Sequence, residues 1–164
     1  MARHQEEVTR VYEDARDDVY RYLLTLGLPP AQAQEATQDV FLRLFVALEQ
    51  GNPISNMRAW VFRVAHNLGL DLRAKKQALP MDPEFGLRIR DKSQAVDMDL
   101  IERERMNLLS SAWKTLSDQQ RQCLHLRAEG LRYREIGETL GISISSVREF
   151  LSRAVLKLQK AVHE

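Results

Sequence analysis

Residues 133–153, YREIGETLGISISSVREFLSR, hold the side chains of this 164-residue chain whose types and spacing best suit a definite chemistry. Ile136, Leu140, Ile142, Val147 and Leu151 are apolar at the spacing of two helices that cross steeply, and Gly137 is small where the helices approach. Gly141 falls where a short turn needs a left-handed residue, and Ser143 is placed to cap the second helix. That helix, over about 144–161, then carries Arg148, Ser152, Arg153, Lys157 and Lys160. Guanidinium, hydroxyl and ammonium groups along one helix are the donors that meet phosphates and base edges in a DNA major groove, so the pattern predicts a helix-turn-helix. Other chemistries find little material. No nucleophile stands beside a base, no Gly-rich phosphate loop occurs, and the histidines at 4, 66, 125 and 163 have no zinc-site spacing, so neither an enzyme, a metal nor a cofactor is expected. Cys123, the single cysteine, excludes an internal disulfide and reads as a buried inert thiol.

Charge is segregated along the chain. Residues 1–51 hold five Arg/Lys against nine Asp/Glu and residues 52–79 five against one; residues 80–104 hold four against seven and residues 105–164 ten against six. Two basic blocks far apart in sequence suit a polyanion touched at two places, with acidic surfaces turned elsewhere.

The elements that must position these groups are helical. Val8, Val11, Tyr12, Ala15, Val19, Tyr22, Leu23 and Leu26 keep an i, i+3, i+4, i+7 spacing, which predicts a first helix over 5–26. Val40, Phe41, Leu44, Phe45 and Leu48 predict a second over about 31–50, and Trp60, Val61, Val64, Leu68 and Leu72 a third over about 55–77. Periodicity fails over 78–96, where Pro80 and Pro83 interrupt, which predicts a flexible linker. It resumes near Asp97 and runs to Leu116, and Ser117-Asp-Gln-Gln120 has the form of a capping box opening a further helix over 118–129. No segment alternates with a strand's period. The expectation is an all-α protein of two small helical domains, 1–78 and 97–164, joined by a linker at 79–96. No apolar run nears the roughly 18 residues of a membrane span, and Glu6, Glu7, Asp14, Asp17 and Asp18 stand where a signal peptide would be apolar, so a cytoplasmic protein without membrane insertion is expected.

With those blocks in order, the chain resembles the bacterial RNA polymerase sigma factors of the extracytoplasmic-function group. The resemblance covers AQEATQDVFLRLFVAL (33–48) and MRAWVFRVAHNLGLDLRAKK (57–76) as region two, and residues 116–159 as region four. It implies a promoter-specificity subunit with core RNA polymerase, promoter DNA and an anti-sigma factor as partners. It also implies that the first domain is the region two helical bundle and the second the region four helix-turn-helix.

Residue by residue, the polymerase-binding segment matches Gln38, Asp39, Phe41, Leu42 and Arg43. Gln38, Asp39, Leu42 and Arg43 fall off the stripe of Val40, Leu44 and Leu48, which leaves a mixed apolar and charged face. The part that melts and reads the minus-ten element matches Arg58, Arg63, His66, Asn67, Asp71, Arg73, Lys75 and Lys76, with the loop Asn52 to Asn56 matching the segment that cradles an unstacked base. Flipping a base costs a few kcal/mol, which amide hydrogen bonds and a basic groove can offset. His66, where the family commonly has Arg, is expected near its ordinary pKa of about 6.5 as a pH-sensitive phosphate contact. Trp60 shares a face with Val61 and Val64 and reads as core.

Region four implies minus-35 contacts from Ser145, Ser146, Arg148, Glu149, Ser152 and Arg153. The sequence departs from the family there. Phe150 replaces an expected phosphate-binding Arg, Arg132 fills the place of a capping Ser, and Glu149 either accepts from a cytosine amino group or weakens the contact. An alternative therefore stays open: a sigma mimic that sequesters an anti-sigma factor without reading promoters. The basic helix and asparagine loop would be idle in such a decoy. A dimeric helix-turn-helix repressor would leave residues 35–45 unexplained.

Overall fold

The computed structural model describes residues 2–75 and 99–163, and among these it holds seven α-helices and no strand. They form two compact units, one of three helices and one of four. Lys76 and the linker expected at 79–96 lie outside the described residues. No described helix is long and apolar enough to cross a membrane.

The first unit consists of α1 (Ala2–Thr25), α2 (Pro30–Glu49) and α3 (Met57–Lys75), each packed on the other two. The apolar stripe read on α1 is its buried face: Ala15, Val19, Tyr22, Leu23 and Leu26 are closed to solvent. Gly27, at φ 102°, turns the chain, and Pro30 opens α2 at a position where a missing N–H costs nothing. From α2 come Ala33, Ala36, Val40, Phe41 and Leu44, and from α3 Val61, Phe62, Ala65 and Leu68. Tyr22 meets Phe62 edge to face at 5.9 Å. Trp60, expected in this core, is only half-buried at its edge.

The second unit consists of α4 (Leu100–Thr115), α5 (Asp118–Ala128), α6 (Tyr133–Leu140) and α7 (Ile144–His163). Asp99 caps α4 by accepting from the Glu102 N–H at 2.8 Å. The predicted capping box of α5 is present, with the Gln120 N–H donating to Ser117 Oγ at 3.1 Å and the Ser117 N–H to Gln120 Oε1 at 3.0 Å. Long α7 packs against α4, α5 and α6 and buries Val147, Leu151 and Ala154; Leu126, Leu131 and Ile136 are also closed into this unit. Cys123 is fully buried, and burial raises its thiol pKa to about 11, which fits the inert reading.

Candidate nucleic-acid and polymerase interfaces

In the second unit the turn between α6 and α7 has the geometry a helix-turn-helix requires. Gly141 ends α6 at φ 71°, ψ 35°, and the Ile142 N–H reaches back to the Gly137 carbonyl at 3.0 Å. Ser143 Oγ accepts from the Ser146 N–H at 3.1 Å and so starts α7. Arg132 offers no capping hydroxyl. Instead Glu135 reaches back and accepts from the Arg132 N–H at 2.8 Å, which gives α6 half a capping box without the usual serine.

Along α7, Arg148, Glu149, Ser152 and Arg153 are exposed, as is Ser145. Ser146 is half-buried, and its hydroxyl accepts from that of Ser143 at 3.0 Å, which ties it to the cap. Glu149 pairs with Arg153 at 2.6 Å, one turn on. Phe150 is half-buried beside the apolar stripe. The two departures that favoured a mimic therefore have local explanations: a carboxylate neutralised by its neighbour and a ring packed at the stripe's edge.

In the first unit the polymerase-matching residues share an outward face of α2. Leu42 is 66% exposed although large and apolar, and Val46, one turn later, is 50% exposed. Gln38 is exposed, and Asp39 pairs with Arg43 at 3.2 Å beside Leu42. Phe41 is instead buried, edge-on to Tyr12 at 5.0 Å. Leu42 also borders a groove of about 710 Å³ between α1 and α2, lined by Gln5, Val8, Thr9, Tyr12, Gln38 and Phe45 among others. Val46 and the α1 side of this groove extend the exposed surface beyond the residues matched from sequence. Val46 had a findable signal, since it lies four residues after Leu42 and off the buried stripe.

The residues matched to minus-ten recognition divide. Arg63 and Asn67 are exposed and one turn apart, so they share a face; Lys75 and Asn52 are exposed and Arg73 is half-buried. Asn56 is exposed but caps α3, its Oδ1 accepting from the Ala59 N–H at 3.1 Å. Asn56→Ala is therefore expected to destabilise the first unit by about 1 kcal/mol, read by denaturant melting, apart from any effect on DNA.

Two of the matched residues are turned toward their own unit. His66 is 4% exposed and hydrogen-bonded through Nδ1 to the Tyr22 hydroxyl at 2.7 Å. Burial depresses its pKa to about 4, so it is a neutral core group and no phosphate contact at neutral pH. Arg58 turns back onto α1, where it pairs with Asp14 at 3.0 Å and Asp18 at 2.8 Å and lies over the Phe62 ring. Asp18 also pairs with Arg21. The Arg58 pairs tie the start of α3 to α1.

Comparison with known proteins agrees with this geometry. Residues 11–79 match Sigma-70 region 2 and residues 106–158 match Sigma-70 region 4. The ferric citrate uptake sigma factor FecI of Escherichia coli is 30% identical over 131 residues, covering 75% of this chain and 72% of that one. The chain belongs to the extracytoplasmic-function group of RNA polymerase sigma factors. SigM of Bacillus subtilis, an ECF RNA polymerase sigma factor, is 26% identical over 155 residues, 93% of each chain. The fold of this sigma factor is shared with RpoE of Bartonella quintana, solved in complex with the anti-sigma factor NepR, at TM-score 0.65 and 20% identity over 99% of this chain and 98% of that one. CnrH, solved with the cytosolic domain of CnrY, gives TM-score 0.61 at 21% identity, covering 97% and 89%.

Proposed function

We propose that this sigma factor binds core RNA polymerase through α2, opens and reads a downstream promoter element with α3 and the loop before it, and reads an upstream element with α7. It acts in the cytoplasm as an initiation subunit and not as an enzyme, and an anti-sigma factor holds it inactive. The observation that carries the polymerase assignment is Leu42, an apolar side chain 66% exposed on a helix whose other large apolar residues are mostly closed into the core. An exposed leucine rimmed by Gln38 and the Asp39–Arg43 pair suits a partner helix with a mixed surface. On α3, Arg63 and Asn67 offer a cation and an amide on one face, and Arg73 and Lys75 add basic groups in the last turn.

Asp39→Arg with Leu42→Glu is expected to weaken binding to core polymerase by at least about tenfold while leaving helicity intact, since neither side chain is in the core. Wild-type affinity in that double variant would remove the α2 assignment. In vitro transcription with core polymerase on a genomic library tests the whole reading: start sites sharing one upstream and one downstream element are expected, and an absence of shared elements would favour a mimic.

A further inference from the structure

The ion pair between Glu149 and Arg153 lies on the part of α7 turned farthest from the body of its unit. α7 buries Val147, Leu151 and Ala154. At about 100° per residue, Ser145, Glu149, Ser152 and Arg153 fall on the opposite side, and Arg148 lies about 100° around from Glu149. Glu149 and Arg153 are 60% and 65% exposed, so the core does not hold either side chain in place. The contact shown for each is with the other.

The contact runs from Arg153 Nη2 to Glu149 Oε1 at 2.6 Å. It engages one nitrogen of a planar fork that carries five N–H donors and leaves the others outside this contact. A free arginine on a recognition helix can swing to the nearest phosphate, where it adds affinity and no sequence information. A carboxylate one turn back restrains that swing, because leaving it means giving up a charge-assisted bond, and it cancels the net charge a phosphate would attract. What remains is a pre-aimed set of donors that suits O6 and N7 of a guanine.

We propose that Glu149 is a positioning residue that aims Arg153 at a guanine of the upstream element and does not itself read a base. This rests on α7 being the upstream recognition helix, and it replaces the expectation that Glu149 accepts from a cytosine. Glu149 thereby gives up some general affinity for DNA in return for selectivity at one base pair.

The test uses the full chain in holoenzyme with core polymerase and a promoter carrying a randomised upstream element, scored by which sequences are retained. Arg153→Lys keeps the charge and loses the fork, and it should lower the preference for guanine at one position by about tenfold. Glu149→Gln should relax that same position by about three- to tenfold, leave thermal melting unchanged, and raise retention of non-selected DNA with a steeper salt dependence. In the Arg153→Lys background, Glu149→Gln should change the preference no further, since a positioning residue has nothing left to aim. A further loss in that background, or relaxation at a different base pair, identifies Glu149 as a direct reader and overturns the proposal. Unchanged preferences in Glu149→Gln overturn it as well. If the wild type retains no sequence, the promoter-reading role of α7 falls, and this inference with it.

Discussion

Lowering the pH from 7 to 4 is expected to remove about 3 kcal/mol from the stability of the three-helix unit through His66 alone. In the folded unit this imidazole is buried, hydrogen-bonded to the Tyr22 hydroxyl, and held near pKa 4 by desolvation of its charged form. In the unfolded chain it titrates near its ordinary value of 6.5. Between those values the unfolded state carries a proton that the folded state does not, so stability falls as pH falls. The contribution is nearly intact above pH 6.5, erodes steadily to about pH 4, and levels off below that. The steepness follows from about 1.4 kcal/mol for each unit of pKa difference.

The measurement is denaturant unfolding followed by Trp60 fluorescence in a Trp113→Phe background, so that only the first unit reports. The control is a Tyr22→Phe, His66→Leu double variant, which removes the titrating ring and its polar partner together and leaves no orphaned donor or acceptor. Wild type should lose about 3 kcal/mol more than the control between pH 6.5 and pH 4. Parallel pH profiles would show that His66 keeps its solution pKa, and its placement in the core would be wrong.

Gly137→Ala is expected to cost the helix-turn-helix unit about 1–3 kcal/mol and to abolish selective binding by α7. A Cβ at this position would stand 2.8 Å from the Ile142 carbonyl oxygen and 3.8 Å from Val147 Cγ2. The closer of these is backbone of the turn itself, which cannot rotate away as a side-chain tip could. The turn must open to admit the methyl group, and opening it moves the start of α7, where Ser143 sets the cap. Gly141→Ala is the informative comparison. Nothing lies within 4 Å of a Cβ there, so its cost is limited to holding alanine at φ 71°, about 1 kcal/mol. Melting followed by Trp113 fluorescence should rank Gly137→Ala as the more damaging of the two. The reverse order would mean that the turn relaxes around residue 137.

Much of this protein was legible in the residues alone, and the reason is range. A helix selects its own buried face through contacts three and four residues apart, so the stripes of α1 and α2 and the apolar positions of the helix-turn-helix could be read without knowing what covers them. Caps are equally local: Ser117 with Gln120, Ser143 with Ser146, and Gly141 in its left-handed turn all act within a few residues. The sigma family was legible because several such local patterns occur in order. The Glu149–Arg153 pair was local too, spaced at i and i+4, yet its effect on arginine geometry came into view only with the core face of α7 established.

Tertiary structure decided the cases in which a polar side chain could serve either solvent or a distant partner. His66 lies at the margin of the α3 stripe, and Tyr22, 44 residues earlier, gives its buried ring a hydrogen-bond partner. Arg58 belongs to a basic block by composition, but Asp14 and Asp18 on another helix draw it inward. Trp60 went the other way: its spacing matched the core, but the fully buried positions of α3 include Phe62 and Ala65, and the indole is half-exposed. Periodicity reports how apolar a position is on its own helix. Whether a charged or hydrogen-bonding group there is desolvated depends on which groups a second helix brings to it, and that is settled only when the helices pack.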